Sequence, residues 1–302
     1  MLKILSIVLP IFIVLLLGYF LKRMRFLDEN FIAVSNRLIF NIFLPLLLFY
    51  QIALSNFYDV FNLKSIVLMY VAILLTVFLS YILAGFLKLD LEQTGTFVVD
   101  NFRSNVAYVG LPVCYYALGR ESLPVAAVLM AFNAPLVNIL TVLVLNRNNT
   151  DFRLFIKEII LNPLIIAAVL GIIFSVFPIN FPVFIKRSFE IVNGVTMPLS
   201  LIAIGATISF SGISSSKLVI GLSSMIKLGI MPLFIFLYLS WTQGYFSLAD
   251  KVLIILMSCP TAVAAYITAA GMNGDEDLAS GTIVVNTVLS LFSFIIWLKL
   301  LQ

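Results

Sequence analysis

Histidine is absent from the 302 residues, and only two cysteines occur, Cys114 and Cys259. Haem, zinc and redox centres thereby lose their usual ligands, and a metal site would have to be built from carboxylates alone. Both cysteines fall in apolar runs and read as small packing residues. Charge is also scarce, at 11% of residues, where soluble domains carry about a quarter. No polar segment is long enough to form a soluble module, and no Walker or dinucleotide fingerprint appears. Gradient-driven activity within a membrane bundle is what those absences leave, with no separate catalytic domain, no cofactor and no metal.

Apolar residues fill the space, at 62% of the chain with a mean hydropathy of +1.15. Runs near the ~20 residues needed to cross a bilayer recur at Leu5–Leu21, Leu38–Leu54, Ser65–Leu87, Thr94–Leu118, Leu123–Leu145, Ile159–Phe177, Phe189–Phe210, Leu218–Trp241, Val252–Met272 and Leu278–Leu298. An all-α integral membrane protein of about ten spans follows. The first run lacks a small-residue cleavage site and is followed by Lys22, Arg23 and Arg25, so it reads as a span rather than a signal peptide. Those charges with Arg37, and Arg147, Arg153 and Lys157 between spans five and six, assign both loops to the cytoplasm of a cell membrane. An even number of spans then puts both termini outside, with Lys186 and Arg187 on that same outer side. The pI near 9.0 reflects loop charge and carries no nucleic-acid inference.

Internal repetition divides the chain at 1–148 and 149–302. Shifted by 153 residues, Pro10 meets Pro163, Gly18 meets Gly171, Pro45 meets Pro198, Lys64 meets Lys217 and Asn133 meets Asn286. Five spans per half is an odd number, so the halves are expected to be inverted. Spans four and nine carry prolines near mid-membrane, at Gly110-Leu111-Pro112 and Cys259-Pro260, which a shift of 148 aligns. Proline removes an amide and clashes with the preceding turn, lipid cannot satisfy the freed groups, and two such breaks are expected to cross and line a polar cavity. Half-helix N-termini there would favour an anion, and the carbonyl ends a cation.

The segment Asn105-Val-Ala-Tyr108-Val-Gly110-Leu-Pro112 resembles the fourth span of the auxin efflux carrier family. Cys259-Pro260-Thr261-Ala262, then Gly271-Met-Asn-Gly-Asp275-Glu-Asp-Leu-Ala-Ser280 and Asn286-Thr287, is similar to its ninth span, acidic loop and tenth span. The resemblance covers the whole chain. It implies a secondary carrier of small organic anions, mono- or dicarboxylates such as malate or malonate, working by alternating access around the crossed helices. An alternative is a sodium-coupled organic-anion symporter of the bile-acid-transporter kind; a channel or membrane enzyme is a third class. The implied partners are an organic anion and membrane lipid, with a proton or sodium ion for coupling, and a homodimer is compatible with the layout.

Candidate contacts follow from the breaks. Asn105, Tyr108, Gly110 and Pro112 belong to the first, Ser258, Pro260 and Thr261 to the second. Asn133, Asn138 and Asn286 are amides at lipid depth, where such groups face a cavity or tie helices together. Ser258 and Thr261 can instead bond back to their own helix. Lys227, ten residues beyond Lys217 in span eight, is read as an anion-attracting charge, a partner for Asp100, or a lysine snorkelling to the interface. Asp100 is read as a coupling group, or as a simple partner of Arg103 three residues on.

Overall fold

The computed structural model describes residues 2–145, 157, 160–177, 179, 181–208 and 216–302, so Arg147, Arg153 and Phe210 lie outside it. Helices account for the regular structure, and the described residues contain no strand beyond one isolated antiparallel bridge, Ser104 with Thr261. In chain order they are α1 (Leu2–Arg23), α2 (Glu29–Leu38) and α3 (Leu44–Ala53), α4 (Phe57–Val60), α5 (Leu63–Phe86), α6 (Leu91–Phe102), α7 (Leu111–Leu118), α8 (Ser122–Leu145), α9 (Pro163–Val176), α10 (Val183–Thr207), α11 (Lys217–Met225) and α12 (Met231–Thr242), α13 (Leu248–Met257), α14 (Val263–Gly271) and α15 (Glu276–Leu300). Seven helical stretches are long and apolar enough to cross a membrane: α1, α2 with α3, α5, α8, α10, α11 with α12, and α15. Shorter apolar helices cover Val106–Leu118 and Pro163–Val176.

Polar residues at the ends of these runs start the helices. The carboxylates of Asp28, Asp90 and Asp275 accept from the amides of Phe31, Gln93 and Leu278, and Ser247 with Asp250 forms a reciprocal capping box. The acidic stretch Asp275-Glu276-Asp277 is therefore a helix start, with the negative charges at the positive end of the dipole.

Three prolines follow π turns. Ile39–Phe43 precedes Leu44-Pro45, Val106–Gly110 precedes Leu111-Pro112, and Ile226–Ile230 precedes Met231-Pro232. In each, the residue before proline donates five residues back, as Leu111 does to Val106. Widening the turn by one residue relieves the proline ring without opening the helix. Where a carbonyl is still freed, a side chain takes it. Leu228 O, four residues before Pro232, accepts from Ser293 Oγ (2.9 Å) and Trp297 Nε1 (3.0 Å). Phe132 O, three before the internal Pro135, accepts from Tyr70 Oη (2.8 Å). Although tryptophan near a span end is expected at the interfacial belt, Trp297 is buried, at 5% exposure, whereas Trp241 is 87% exposed. Pro163, the repeat partner of the internal Pro10, is the first residue of α9, behind the cap of Asn162 on the Leu164 amide, and kinks nothing.

Two close helix contacts fall at positions that the 153-residue shift relates. A Cβ on Gly18 would collide with the backbone of Ile202, and one on Gly205 with the backbone of Leu15, so α1 and α10 lie backbone to backbone. Gly171 of α9 faces Phe49 O and Ile52 Cβ of α3. A shift of 153 maps Gly18 to Gly171, Phe49 to Ile202 and Ile52 to Gly205, so the two contacts are the same contact made twice.

Candidate functional site: a crossover of two broken helices

Helix α6 stops at Phe102 because the next residues pair with another chain segment. Ser104 faces Thr261, the Asn105 amide donates to Pro260 O (2.8 Å), and the Ala262 amide donates to Arg103 O (2.9 Å). Each break thus satisfies backbone groups that the other has freed, as lipid-depth backbone requires. The two bonds interchange when residues 157 apart are swapped, Asn105 with Ala262 and Arg103 with Pro260. A local two-fold axis therefore passes between Ser104 and Thr261.

That geometry corrects the expected first break. It lies at Arg103-Ser104-Asn105, and Pro112 sits eight residues past Ser104 inside the continuous helix Val106–Leu118, where the preceding π turn accommodates its ring. The alignment of Pro112 with Pro260 is also overturned, since Pro260 occupies the place of Arg103. Measured from the breaks, the second half-helix, α14, has nine residues, whereas the first has five in its π turn and eight in α7. The difference is about one helical turn, or ~6 Å.

Polar side chains gather around the paired breaks. Thr261 Oγ1 donates to Asp100 O (2.8 Å) and accepts from Asn286 Nδ2 (2.8 Å). On the other side of the axis, Lys227 Nζ donates to Ser104 Oγ, to Met257 O (3.4 Å) and to Met231 Sδ (3.5 Å). Lys227 is fully buried, so the snorkelling reading fails. Arg103 extends toward α8, its Nη1 donating to Thr141 Oγ1 (2.7 Å) and its Nη2 to Asn138 Oδ1 (3.2 Å). Arg103 does not pair with Asp100, and neither does Lys227; the ion pairs among the described residues are Lys22–Glu29 and Arg120–Glu190. Both oxygens of Asp100 are buried without a hydrogen-bond partner among the described residues, as are Asn286 Oδ1, Thr282 Oγ1 and Asn133 Oδ1.

Sequence-expected residues divide accordingly. Asp100, Asn105, Pro260, Thr261, Asn286 and Lys227 meet at the crossover, and Asn138 joins through Arg103. The Asn105 side chain caps nothing, although its backbone is fully engaged. Ser258 spends its hydroxyl on Ile255 O (2.9 Å) of its own helix. Gly110 serves close approach: a Cβ there would come within 2.8 Å of Leu256 Cδ2 and 3.0 Å of Cys259 Sγ. Tyr108 is half-buried, Pro112 is buried in α7, and Asn133 is buried without a bond to the crossover.

Ser104, Thr282 and the chain Ser223 Oγ to Asn101 Oδ1 (2.6 Å) with Asn101 Nδ2 to Ser80 Oγ (2.9 Å) were not anticipated, and Arg103 was expected only as a partner of Asp100. One signal pointed to them. Asp100-Asn-Phe-Arg-Ser-Asn105 holds five polar residues of six inside an otherwise apolar span. Two grooves, of about 520 Å³ beside Ser35 and Leu199 and about 350 Å³ beside Ser224 and Trp297, lie away from the paired breaks.

The chain is 28% identical over 295 residues to a protein of Methanothermobacter thermautotrophicus named "Uncharacterized transporter", covering 96% of each. It is 24% identical over 300 residues to another so named in Methanocaldococcus jannaschii, covering 97% of each. A "Putative malonate transporter" of Rhizobium meliloti is 23% identical over 304 residues, 96% of this chain and 93% of that one. All three relatives are named as transporters. The profile of the family described as "Membrane transport protein" matches twice, over residues 3–154 and 148–298. On that double match, which spans nearly the whole chain, the protein belongs to this membrane transport family, that of the auxin efflux carriers.

Proposed function

We propose that this protein is a secondary carrier of small organic anions, mono- or dicarboxylates of the malonate or malate class, working by alternating access about the crossover. One observation carries the anion reading. Two buried or half-buried cations, Lys227 bonded to Ser104 of the first break and Arg103 reaching from that break toward α8, have only neutral groups as partners among the described residues. Unpaired charge at lipid depth is costly, ~2.5–3.5 kcal/mol on insertion scales, and a bound carboxylate offsets it. The guanidinium fork, with donors left over after Thr141 and Asn138, suits a carboxylate bidentately. The name of the Rhizobium relative agrees with a dicarboxylate.

In this reading the chain crosses a cell membrane ten times, as inverted halves 1–148 and 149–302 with both termini outside. The repeated contact at Gly18 and Gly171 and the two-fold pairing at Ser104 and Thr261 support it. Asn105, Asn138, Thr261 and Asn286 line the substrate's path, and the α1/α10 and α3/α9 pairs provide the closely packed bodies against which the crossover moves. The test is counterflow in proteoliposomes loaded with malonate, malate, succinate or indole-3-acetate. Saturable exchange of one carboxylate, reduced at least tenfold in Arg103→Gln, is expected. Folded protein that exchanges none of these anions would sink the reading.

A further inference from the structure

Asp100 poses a problem that the anion reading does not absorb. It is 0% exposed, and neither carboxyl oxygen has a partner among the described residues. It stands in the last turn of α6, at the negative end of that helix dipole. Asp275, on the same side, adds a second negative charge. A lone carboxylate cannot be stable there, so something positive must accompany it.

Its neighbours say what kind of group that is. The Thr282 hydroxyl lies within donating reach of the carboxyl, at a looser geometry than a formed hydrogen bond. One turn along the same face of α15, Asn286 presents an unpartnered Oδ1, while its Nδ2 reaches Thr261, whose hydroxyl is on Asp100 O. Thr282 and Asn286 are both 0% exposed. Four side-chain oxygens in one buried neighbourhood, two of Asp100 and one each of Thr282 and Asn286, are therefore without a partner among the described residues. A proton on Asp100 would neutralise the carboxyl and, with the Thr282 hydroxyl, supply two O–H donors, whereas one cation meets all four oxygens at once. A divalent ion would call for more than one carboxylate. We propose that Asp100, Thr282 and Asn286 form a binding site for a small dehydrated monovalent cation of sodium's class, beside the carbonyl end of the first half-helix.

The site's existence does not depend on the carrier reading; only the ion's role in driving anion movement rests on it. The test uses the purified full chain in detergent, with thermal unfolding followed in NaCl against choline chloride at fixed ionic strength, over several pH values. Ligand binding to the folded state alone raises the melting temperature with concentration. A saturable rise of a few degrees with sodium is expected, lost in Asp100→Asn and needing at least tenfold more sodium in Thr282→Val. Equilibrium binding of radioactive sodium to the wild type provides a readout that does not require either variant to fold. No sodium dependence in either assay overturns the proposal. So does a sodium effect retained in folded Asp100→Asn, or a stabilisation by acid alone, in choline, that Asp100→Asn abolishes. Counterflow separates the two ideas: exchange that proceeds equally in choline, with no sodium bound, removes the site and keeps the carrier, whereas sodium binding without exchange of any anion does the reverse.

Discussion

The two breaks are related by a two-fold axis, yet they are held in different ways. At one, a hydroxyl spans the gap directly, Thr261 Oγ1 to Asp100 O, with Asn286 behind it. At the other, the equivalent pair is Ser104 and Met257 O, 157 residues away from Thr261 and Asp100 respectively, and the ammonium of Lys227 bridges them. One half-helix end thus carries a built-in cation without an acid, and the other an acid without a built-in cation. Strict symmetry would make the two ends equivalent. With a cation bound at Asp100 as proposed, the crossover would carry the protein's own charge at Lys227 on one side and an exchangeable one on the other.

The largest expected effect comes from erasing the fixed charge. Lys227→Met keeps the length and apolar stem but removes the ammonium. Exchange is expected to fall by at least about tenfold, worth ~1.4 kcal/mol, while the melting temperature stays level or rises, because an apolar isostere escapes the desolvation of a buried charge. Counterflow and thermal unfolding on the same preparation check both halves of that statement. A variant that exchanges normally would remove Lys227 from the mechanism and leave the asymmetry without a function.

Next comes the packing difference between the half-helices. Gly110 lies against Leu256 and Cys259, whereas the residue 157 further on, Ile267, is 65% exposed. Gly110→Val should destabilise by ~1–3 kcal/mol through overpacking, and Ile267→Ala should stay within about 0.5 kcal/mol. Thermal unfolding of the pair decides it. Equal effects would mean that the half-helices are more alike than their surroundings indicate.

Thr261→Val follows, since it removes two buried hydrogen bonds and keeps the shape. A loss of ~1–3 kcal/mol is expected. Ser104→Ala leaves Lys227 with Met257 O and Met231 Sδ, and its cost is expected to be smaller. If Ser104→Ala proved the more damaging, the ammonium bridge and not the direct hydroxyl bond would be the stronger clasp.

Much of the fold was legible because lipid imposes it. The apolar runs located most of the helices, with starts late by two or three residues where the caps Asp90 and Asp275 decide them, and by nine where α2 begins at Glu29 and not at Leu38. The second break was legible because Pro260 lies in it. The first was misplaced by the same rule, since Pro112 looks like a breaker in sequence, but the π turn ahead of it absorbs the ring and the polar run Asp100–Asn105 marks the true opening. Helix rotation escaped altogether. Nothing in an all-apolar span says that Trp297 turns inward to Leu228 O, or that Thr282 faces Asp100 while other hydroxyls bond back to their own helices.

The two prolines provide the smallest test and the sharpest for the corrected geometry. Pro112→Ala restores an amide in a turn already widened to do without it, so the Asn105-to-Pro260 bond is untouched and stability should move by no more than about 0.5 kcal/mol. Pro260 stands in the extended segment itself, between Cys259 and Thr261, and its fixed φ limits the unfolded chain at a position where no helix is to form. Pro260→Ala gives up that restriction, at ~0.4–1 kcal/mol, and adds a donor to a buried break whose neighbouring groups are already paired. Thermal unfolding in detergent should therefore rank Pro260→Ala as the more destabilising. The opposite order would place the first opening of the chain at Pro112 after all, and with it the axis of the crossover.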